Sequence, residues 1–389
     1  MDIKTVAEKY SDYQIKMRRY FHKYPEISGE EYETCNAIRT ELDKMGVPWE
    51  HCGLETGTLA TIKGSKPGKT ILLRGDIDAL TVVEQTGVEY ESRNKGLMHA
   101  CGHDCHISML LTAAQILNDM KEQLCGTVKL AFQPAEEIGK GALSMIEQGA
   151  LEGVDGCFAM HVWTDVPSGH LCCAAGPRMA SADKFKIDIK GKGGHGAAPH
   201  QCIDAAVTAS AIVNNLQTIV SREIDPLDPA VLTVGVMNVG TRWNVVAENA
   251  YLEGTSRCFS EETWENIPRR IEEIAQETAK SLRAEANVEI TRVVAPSIND
   301  EKMSNIIANA SKKVISEDAP INLKPTMGGE DFSYFMREVP GAIALLGIGN
   351  EACGAIYPNH SGKFSVDEDM LIKGAMLYAQ VAMDFNQQQ

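Results

Sequence analysis

The sequence predicts an α/β protein in which a mostly parallel-sheet domain carries a smaller, inserted α+β domain. Strand and helix signals alternate between residues 70 and 161, and this alternation is typical of a parallel sheet. Within residues 179–294 the order changes to strand, helix, strand, strand, helix, strand, which matches a complete split two-layer sandwich. We therefore predict a discontinuous larger domain of residues 1–178 and 295–389 around an inserted domain of residues 179–294.

The larger domain is predicted to begin with two amphipathic helices and to continue with a buried strand. Apolar residues recur at three- and four-residue spacing over residues 5–24 and again over residues 30–45. The apolar run Thr70–Arg74 is typical of a buried strand. The elements predicted after it are a helix at 107–120, a strand at 127–132, a short helix at 141–148 and a strand at 156–160 that ends on His161.

The inserted domain and the closing segment show the same two periodicities. In the inserted domain, strands are predicted at 185–190, 230–239, 249–259 and 288–294, and helices at 203–220 and 262–284. The closing segment is predicted to contain a helix at 302–315, a strand at 342–346 and a helix at 369–383. These last elements complete the alternation of the larger domain.

Composition argues against several classes of partner. The 389 residues carry a formal net charge of −16 with a pI near 5.1, which argues against nucleic acid and anionic membranes because phosphate binding needs a basic surface. The chain has no apolar run of about 18 residues and its N-terminus lacks a signal-peptide pattern, so we expect a cytoplasmic protein. The 11 cysteines form no regular framework and are expected to be reduced thiols.

Residues 98–106, MHACGHDCH, concentrate potential metal ligands. The stretch includes three histidines, two cysteines and one aspartate. Thiolate, imidazole and carboxylate groups bind transition metals, so this density favours half of a metal site over a turn of ordinary packing residues. Cys101 and His103 are the predicted ligands, while His99, Cys105 and His106 are expected to serve packing and loop shape.

Further candidate ligands follow predicted strands or lie in a late loop. Asp78, the pair Glu136–Glu137 and His161 each stand at a strand end, and open parallel sheets bind ligands at the carboxyl ends of their strands. His360 lies in the loop YPNHS. Five candidate ligands are more than one ion needs and suit two ions. They are Cys101, His103, Glu137, His161 and His360.

The adjacent carboxylates Glu136 and Glu137 can take different roles. Neighbouring side chains point in different directions, so one can bind metal while the other faces an activated water as a general base. Partial burial and the neighbouring carboxylate would raise the pKa of such a base toward neutrality. Asp78 and Asp104 are candidates for the carboxylate that orients a ligand imidazole.

Six short motifs are spread along the chain. They are RGDIDAL (74–80), HACGHD (99–104), FQPAEE (132–137), MH (160–161), GGHGAAPH (193–200) and GGEDFS (328–333). In this order they resemble the amidohydrolase branch of the aminoacylase and carboxypeptidase G superfamily, which includes hippurate and auxin-conjugate hydrolases. The resemblance spans essentially the whole chain and implies the same two-domain architecture. It also implies metal-dependent hydrolysis of the amide bond of N-acyl amino acids, with acetyl, benzoyl or similar acyl groups.

The resemblance implies roles for residues of the larger domain. Glu136 matches the general base, and Asp78 matches the carboxylate that orients a ligand. The five candidate ligands match the ligands of a binuclear metal centre, with Cys101 bridging the ions. The expected cofactors are two divalent ions, zinc or manganese first, with cobalt and nickel also compatible with this ligand set.

The resemblance implies that the inserted domain is a lid and dimerisation domain. It also implies roles in catalysis or substrate binding for three residues of that domain. His195 matches an oxyanion-stabilising histidine that often reaches the site of the other subunit, so a homodimer is expected. Asn244 and Arg257 stand where the family's small domain contacts the substrate. Arg257 can pair with a free carboxylate, or it can be an ordinary exposed strand residue.

Two positions depart from the family pattern. Thr81 follows Leu80 where relatives commonly have proline, and Asn359 precedes His360 where the plant enzymes carry another residue. Neither departure removes a ligand. Both bear on the acyl group that the site prefers.

Three alternative functions remain open from the sequence. A dipeptidase or carboxypeptidase-like metallopeptidase would use the same residues. A cysteine hydrolase would use Cys101 as nucleophile and His103 as base, although their spacing disfavours this pair. A non-catalytic metal-binding protein is disfavoured because structural sites usually close with four ligands, whereas here five ligands and Glu136 are present.

Overall fold

The computed structural model describes residues 2–386. The helices are α1 (Ile3–Ala7), α2 (Ser11–Lys23), α3 (Tyr32–Met45), α4 (His103–Asp119), α5 (Gly141–Glu147), α6 (Ala205–Thr218), α7 (Glu261–Ser281), α8 (Glu301–Val314), α9 (Ser333–Glu338) and α10 (Asp369–Phe385). The strands are β1 (Trp49–His51), β2 (Thr58–Lys63), β3 (Lys66–Asp76), β4 (Cys125–Gln133), β5 (Gly156–Pro167), β6 (Leu171–Cys172), β7 (Gly176–Met179), β8 (Ala182–Lys190), β9 (Gly194–His195), β10 (Ala230–Val239), β11 (Val245–Val246), β12 (Asn249–Cys258), β13 (Glu285–Val294), β14 (Ser297–Asn299), β15 (Pro320–Ile321) and β16 (Gly341–Gly349).

The chain divides into two compact units. The first comprises the chain up to Gly176, Ile298–Lys324 and the chain from Asp331 onward, and the second comprises Pro177–Ser297 and Pro325–Glu330. The sequence analysis assigned the segment Pro325–Glu330 to the larger domain. It belongs to the second unit because backbone hydrogen bonds of 3.0–3.1 Å join its Thr326 and Gly328 to residues 178–180.

The first unit is built on an eight-stranded sheet with the order β1-β2-β4-β3-β5-β16-β6-β15. The central neighbours β4, β3, β5 and β16 are parallel, whereas β1 and β2 form an antiparallel edge. Parallel neighbours need crossover connections, and α4 and α5 lie in the connections from β3 to β4 and from β4 to β5. The predicted α/β class with a mostly parallel sheet is confirmed.

The parallel order brings several strand ends to one edge of the sheet. β3 ends at the buried Asp76 and β4 at the buried Gln133, which lie opposite each other in the strand register. β5 was predicted to end at His161 but continues to Pro167. The extension follows from parallel pairing with β16, whose Gly349 lies opposite Pro167.

A buried guanidinium joins these strand ends. Arg74 is only 2% exposed. Its Nε donates to Gln133 Oε1 at 2.9 Å, its Nη2 donates to Asp331 Oδ1 at 2.9 Å, and its Nη1 pairs with Asp76. A buried charge is tolerated only when it is paired and hydrogen-bonded, so this network fixes the ends of β3 and β4 relative to each other.

Two glycines let α4 approach the sheet closely. Gly102, the N-cap residue of α4, has a φ of 91°, which a residue with a side chain rarely adopts. A Cβ at Gly102 would lie 2.3 Å from Val162 Cγ2, and a Cβ at Gly75 would lie 3.2 Å from the His106 backbone oxygen. The first turn of α4 is thereby held against β3 and β5.

The second unit is a four-stranded antiparallel sheet covered by two helices. Its strand order is β10-β12-β8-β13, and α6 and α7 pack against it. Along β8 the alternating residues Phe185, Ile187 and Ile189 are buried while Lys184, Asp188 and Lys190 are exposed. This arrangement confirms the predicted split two-layer sandwich. Within residues 2–386 no helix combines the length and apolar character required to cross a membrane.

We expect Asp183→Asn to change the pH dependence of the unfolding free energy. Burial raises the pKa of Asp183 to about 6, although Arg292 and the indole N–H of Trp264 oppose this. A raised carboxyl pKa stabilises the fold below the unfolded-state value of about 3.9, and that contribution is lost as pH rises through the folded-state value. Between about pH 4 and about pH 7 the variant should therefore gain about 1–3 kcal/mol relative to wild type in urea unfolding.

The matched control is Asp188→Asn, which changes an exposed aspartate on the same strand. Its stability should follow that of the wild type across this pH range. If Asp183→Asn also followed the wild type, the raised pKa of Asp183 would be wrong.

Candidate metal centre

The five predicted ligands lie together in the first unit, at the carboxyl edge of the parallel strands. Cys101 precedes α4 and His103 is its first residue. Glu137 lies in the turn after β4, His161 lies within β5, and His360 lies in the loop before α10. The parallel sheet thus collects side chains that are far apart in the chain.

Cys101 lies at the centre of this group. Its Sγ is 3.3 Å from His161 Nε2 and 3.3 Å from His360 Nε2. His360 Nε2 is 3.6 Å from Glu137 Oε1, which is 3.9 Å from His103 Nε2. Two sets of three, Cys101–His103–His161 and Cys101–Glu137–His360, each have their ligand atoms within 4.8 Å of one another. The sulfur of Cys101 therefore belongs to both sets.

These separations fit the coordination of divalent metal ions. Two nitrogen or oxygen ligands of a tetrahedral zinc ion lie about 3.4 Å apart, and a sulfur and a nitrogen ligand lie about 3.5 Å apart. His103 Nε2 and Glu137 Oε1 are buried, and neither has a hydrogen-bond partner within the described part of the chain. Buried polar atoms are normally satisfied, so bound cations would supply what these two atoms lack.

Hydrogen bonds to the distal nitrogens orient the two buried imidazoles. His103 Nδ1 donates to the backbone carbonyl of Asp78 at 2.8 Å and lies 3.2 Å from the Asp78 Oδ1. His161 Nδ1 donates to the Val162 carbonyl at 2.8 Å. These bonds leave Nε2 of each ring available to a metal.

Two carboxylates hold the turn that carries Glu136 and Glu137. Ala135 in this turn has a φ of 54°, in the left-handed region that residues with side chains seldom adopt. Glu31 Oε1 accepts the Ala135 N–H at 2.9 Å, and Asp78 Oδ2 accepts the Glu137 N–H at 3.0 Å. A carboxylate oxygen of Glu136 lies within 4.8 Å of a carboxylate oxygen of Glu137 and of a ring nitrogen of His103. The turn therefore places Glu136, the predicted base, close to two of the predicted ligands.

The interior of the site favours bound positive charge. Burial lowers the pKa of His103, but the carboxylates of Asp76, Asp78 and Glu137 outweigh burial and raise that pKa to about 10. Burial, reinforced by nearby carboxylates, raises the pKa of the Cys101 thiol well above its ordinary value. Burial also raises the pKa of Glu137. Each shift favours retention of a proton, and a divalent cation meets the same electrostatic need.

Two polar residues near the ligands are occupied elsewhere. His106 Nδ1 donates to Asp76, and His106 Nε2 accepts a backbone N–H of β5 at 2.9 Å, so both ring nitrogens are used. Asp104, which the sequence offered as a carboxylate for a ligand imidazole, pairs instead with Arg18 Nε at 2.9 Å and His22 Nδ1 at 2.8 Å. Both partners of Asp104 lie on α2, so sequence spacing gave no sign of these contacts.

The remaining predicted site residues lie in the second unit. His195 is exposed on β9, which pairs with β11. Gly196 donates its N–H to the backbone carbonyl of Asn244 at 2.9 Å, so His195 and Asn244 are close neighbours. The Oδ1 atom of Asn244 is buried without a hydrogen-bond partner among residues 2–386. Arg257 lies on β12 and donates from Nη1 to the Met327 carbonyl at 3.0 Å. Their substrate roles stay predictions.

Three residues that support the site had no role in the sequence analysis. Glu31 and Ser28 precede α3, and Ser28 Oγ donates to Asp78 Oδ2 at 2.6 Å. Asn359 had been noted only as a departure from a family pattern, and its side chain donates to the Cys101 carbonyl at 3.0 Å. Glu31 follows Glu30 at a helix start, so its sequence context suggests an ordinary acidic first turn.

Comparison with known proteins gives consistent matches over nearly the whole chain. Residues 72–384 match a family model described as peptidase family M20/M25/M40. The thermostable carboxypeptidase 1 of Saccharolobus solfataricus is 40% identical over 99% of this chain and 98% of its own. The N-acetyl-L-cysteine deacetylase of Bacillus subtilis is 39% identical over 93% of this chain and 85% of its own. The crystal structure of the Bacillus subtilis YXEP protein, a dinuclear metal binding peptidase from the M20 family, is 33% identical with a TM-score of 0.86, covering 98% of this chain and 100% of that chain.

Removing the Glu31 carboxylate should destabilise the fold. Glu31 accepts the N–H groups of Gly29 and Ala135, each at 2.9 Å, and the Thr56 hydroxyl at 2.7 Å. Glu31→Ala leaves the buried Ala135 N–H without its partner, which should cost about 1–3 kcal/mol in urea unfolding.

The matched control for this change is Glu31→Gln. The amide oxygen can accept both N–H groups while the amide nitrogen donates to the Thr56 hydroxyl, so the loss should stay below about 1 kcal/mol. Equal losses in the two variants would show that charge, and not the Ala135 contact, is what Glu31 provides.

Proposed function

Because the chain belongs to peptidase family M20/M25/M40 and is a metal-dependent amidohydrolase, we propose that it hydrolyses N-acyl amino acids with acetyl, benzoyl or similar acyl groups. The observation that carries this proposal is the pair of ligand sets sharing Cys101, with Glu136 beside Glu137. A ligand and a base on one turn are what metal-assisted attack of water on an amide requires. The name of the deacetylase relative, which specifies N-acetyl-L-cysteine, supports an N-acyl amino acid substrate.

We assign two divalent ions to the shared ligand sets, zinc or manganese first, with cobalt and nickel also compatible. The proposed ligands are Cys101, His103, Glu137, His161 and His360. When bound, such ions polarise a substrate carbonyl and lower the pKa of a water from about 15.7 toward about 7.

Glu136 is proposed to move the proton. Its carboxylate removes a proton from the attacking water as the water oxygen adds to the amide carbon. The same carboxyl group then gives that proton to the amide nitrogen as the C–N bond breaks, which releases the acid and the amino acid. Asp78 keeps the His103 imidazole in its ligand orientation throughout.

Residues of the second unit are proposed to bind the substrate. His195 would donate a hydrogen bond to the oxyanion that forms when water adds to the carbonyl. Asn244 has a buried Oδ1 atom without a hydrogen-bond partner among the described residues, which suits it to accept a substrate N–H. Arg257 would pair with the carboxylate of the amino acid, since guanidinium groups bind carboxylates in a fork.

We further propose that the second unit acts as a lid and mediates a homodimer. β10 is an edge strand of its sheet. Four large apolar side chains of β10 are 36–40% exposed, namely Val231, Val236, Met237 and Val239. Trp243, which lies beyond the end of β10, is 90% exposed. An exposed apolar edge strand is a template for pairing with another chain, and a second copy would cover it.

A metallopeptidase acting on dipeptides or on the carboxyl end of peptides is the second candidate. It is favoured by the 40% identity to a relative named thermostable carboxypeptidase 1. The proposed catalytic residues would be the same, because both reactions hydrolyse an amide that lies beside a carboxylate. The two candidates differ only in the group that occupies the acyl side of the bond.

The other two alternatives lack support at the site. A cysteine hydrolase needs an accessible thiolate, whereas Cys101 is buried and its pKa is raised by burial and nearby carboxylates. Cys101 lies outside α4, which begins at His103, so the two residues do not share one regular element. A non-catalytic protein that binds only a structural ion would not account for a second carboxylate, Glu136, next to the proposed ligand Glu137.

Glu136→Gln should abolish hydrolysis while both metal ions stay bound. The amide cannot take a proton from water, and general-base catalysis typically contributes about 10²–10⁴-fold to the rate. Turnover should be measured on N-acetyl amino acids, N-benzoyl amino acids and dipeptides, with metal content measured by elemental analysis. Glu147→Gln, an exposed change on α5, is the control. Unchanged turnover in Glu136→Gln would refute the mechanism, and faster hydrolysis of dipeptides by wild type would favour the second candidate.

His195→Ala should lower kcat about 10²–10³-fold without loss of metal, because removing one oxyanion donor has effects of this size.

If His195 acts across a dimer, mixing subunits of His195→Ala and Glu136→Gln should restore about a quarter of the wild-type activity. Half of the dimers then contain one subunit of each kind, and each of these dimers has one complete site out of two. Full activity in His195→Ala would remove this residue from the mechanism. Absence of restoration would place His195 in the site of its own subunit.

A further inference from the structure

We propose that the side-chain amide of Asn359 positions His360, and thereby determines whether the second metal ion binds. This inference rests on the proposed binuclear site. Asn359 Nδ2 donates to the Cys101 carbonyl at 3.0 Å and to the Val162 carbonyl at 3.3 Å. The two hydrogens of one amide nitrogen therefore join the loop of His360 to the segment that carries Cys101 and to the strand that carries His161.

His360 has weaker support from regular structure than the other imidazoles. His103 lies on α4 and His161 on β5, and both are buried. His360 lies in a loop, and its side chain is 57% exposed. A ligand on a loop depends on specific contacts for its position, so the contacts of this loop decide where His360 Nε2 lies.

The backbone of His360 also adopts a strained conformation. Its φ is 68°, in the left-handed region that costs energy for a residue with a side chain. Such a conformation persists only where surrounding contacts impose it. The His360 N–H donates to the Ala100 carbonyl at 2.8 Å, and Asn359 adds two further hydrogen bonds to the same neighbourhood.

The two ligand sets depend on Asn359 unequally. The set Cys101–Glu137–His360 contains the residue that follows Asn359, whereas the set Cys101–His103–His161 does not. His161 retains its own hydrogen bond to the Val162 carbonyl, at 2.8 Å, whether or not Asn359 shares that oxygen. Loss of the amide should therefore weaken the ion held by His360 and spare the ion held by His103 and His161.

The direct test is a Mn²⁺ titration of metal-free protein, with electron paramagnetic resonance to distinguish single ions from coupled pairs. Wild type should bind two ions. Asn359→Leu and Asn359→Ala should bind the first ion normally and the second about 10–100-fold more weakly, as is typical when a residue that orients a ligand is removed. Their spectra should show isolated ions at concentrations where wild type shows coupled pairs.

The two substitutions at Asn359 distinguish the loss of its N–H donor from the loss of side-chain volume. Leucine keeps the branched shape and the number of side-chain heavy atoms of asparagine but has no N–H donor, whereas alanine removes both the shape and the donor. If Asn359 only filled space, Asn359→Leu would retain the second ion, and that result would overturn the proposal. Equal weakening of both ions would also overturn it, because Asn359 would then act through the shared Cys101 or through the stability of the fold and not through His360.

The matched control removes another side-chain amide bonded to a backbone carbonyl. Asn118 Nδ2 donates to the Met45 carbonyl at 2.9 Å from the far end of α4. Asn118→Leu should bind both ions with the affinity of wild type. Loss of the second ion in this control would mean that the effect at Asn359 is not specific.

A double-mutant cycle shows whether Asn359 acts through His360. His360→Ala removes the ligand itself, so adding Asn359→Leu to it should cause no further loss of affinity for the second ion. Additive losses, or binding of a single ion by wild type, would overturn the proposal. None of these readouts uses hydrolysis, so a wild type that binds two ions without cleaving any N-acyl amino acid would refute the proposed function alone.

Discussion

Buried carboxylates at the strand ends impose the constraint on which the site depends. The parallel sheet and the turn after β4 bring Asp76, Asp78 and Glu137 into an interior where unpaired charge is costly. Arg74 offsets part of this charge and ties β3 to β4. The remaining negative charge raises the pKa of His103, so positive charge is favoured where the candidate ligand atoms converge. A divalent cation at that point would stabilise the interior and supply the chemistry from the same position.

The structural support of the five proposed ligands is graded across the site. His103 and His161 are fixed by regular structure and by backbone carbonyls, whereas Glu137 depends on a turn with a left-handed residue. His360 is exposed and is held by loop contacts. In the proposed site, rigidly held ligands would preserve the geometry of the reaction, while the exposed side would let a substrate enter. The two hydrogen bonds of the Asn359 side chain tie the loop of the exposed His360 to the buried segments that carry Cys101 and His161.

The sequence predicted the features that depend on local patterns. The α/β class, the inserted sandwich and the amidohydrolase resemblance are confirmed, since each depends on periodicity or on contiguous motifs. The contacts of Glu31 with Ala135 and of Asn359 with Cys101 could not be predicted, because they join side chains to backbone groups 104 and 258 residues away. Every residue offers such backbone groups, so they carry no signal of their own. The continuation of β5 past His161 was missed for a related reason, because it depends on pairing with β16.

The insertion of the second unit also orders events during translation. A ribosome produces Cys101, His103, Glu137 and His161 before any part of the second unit, whereas His360 follows only after that unit has been made. β16, the parallel neighbour of β5, is synthesised equally late. A nascent chain therefore carries four of the five proposed ligands while the central sheet is still incomplete. The second unit, most of which is contiguous, can fold in that interval, and the proposed ligand set that includes His360 can form only after that unit has been synthesised.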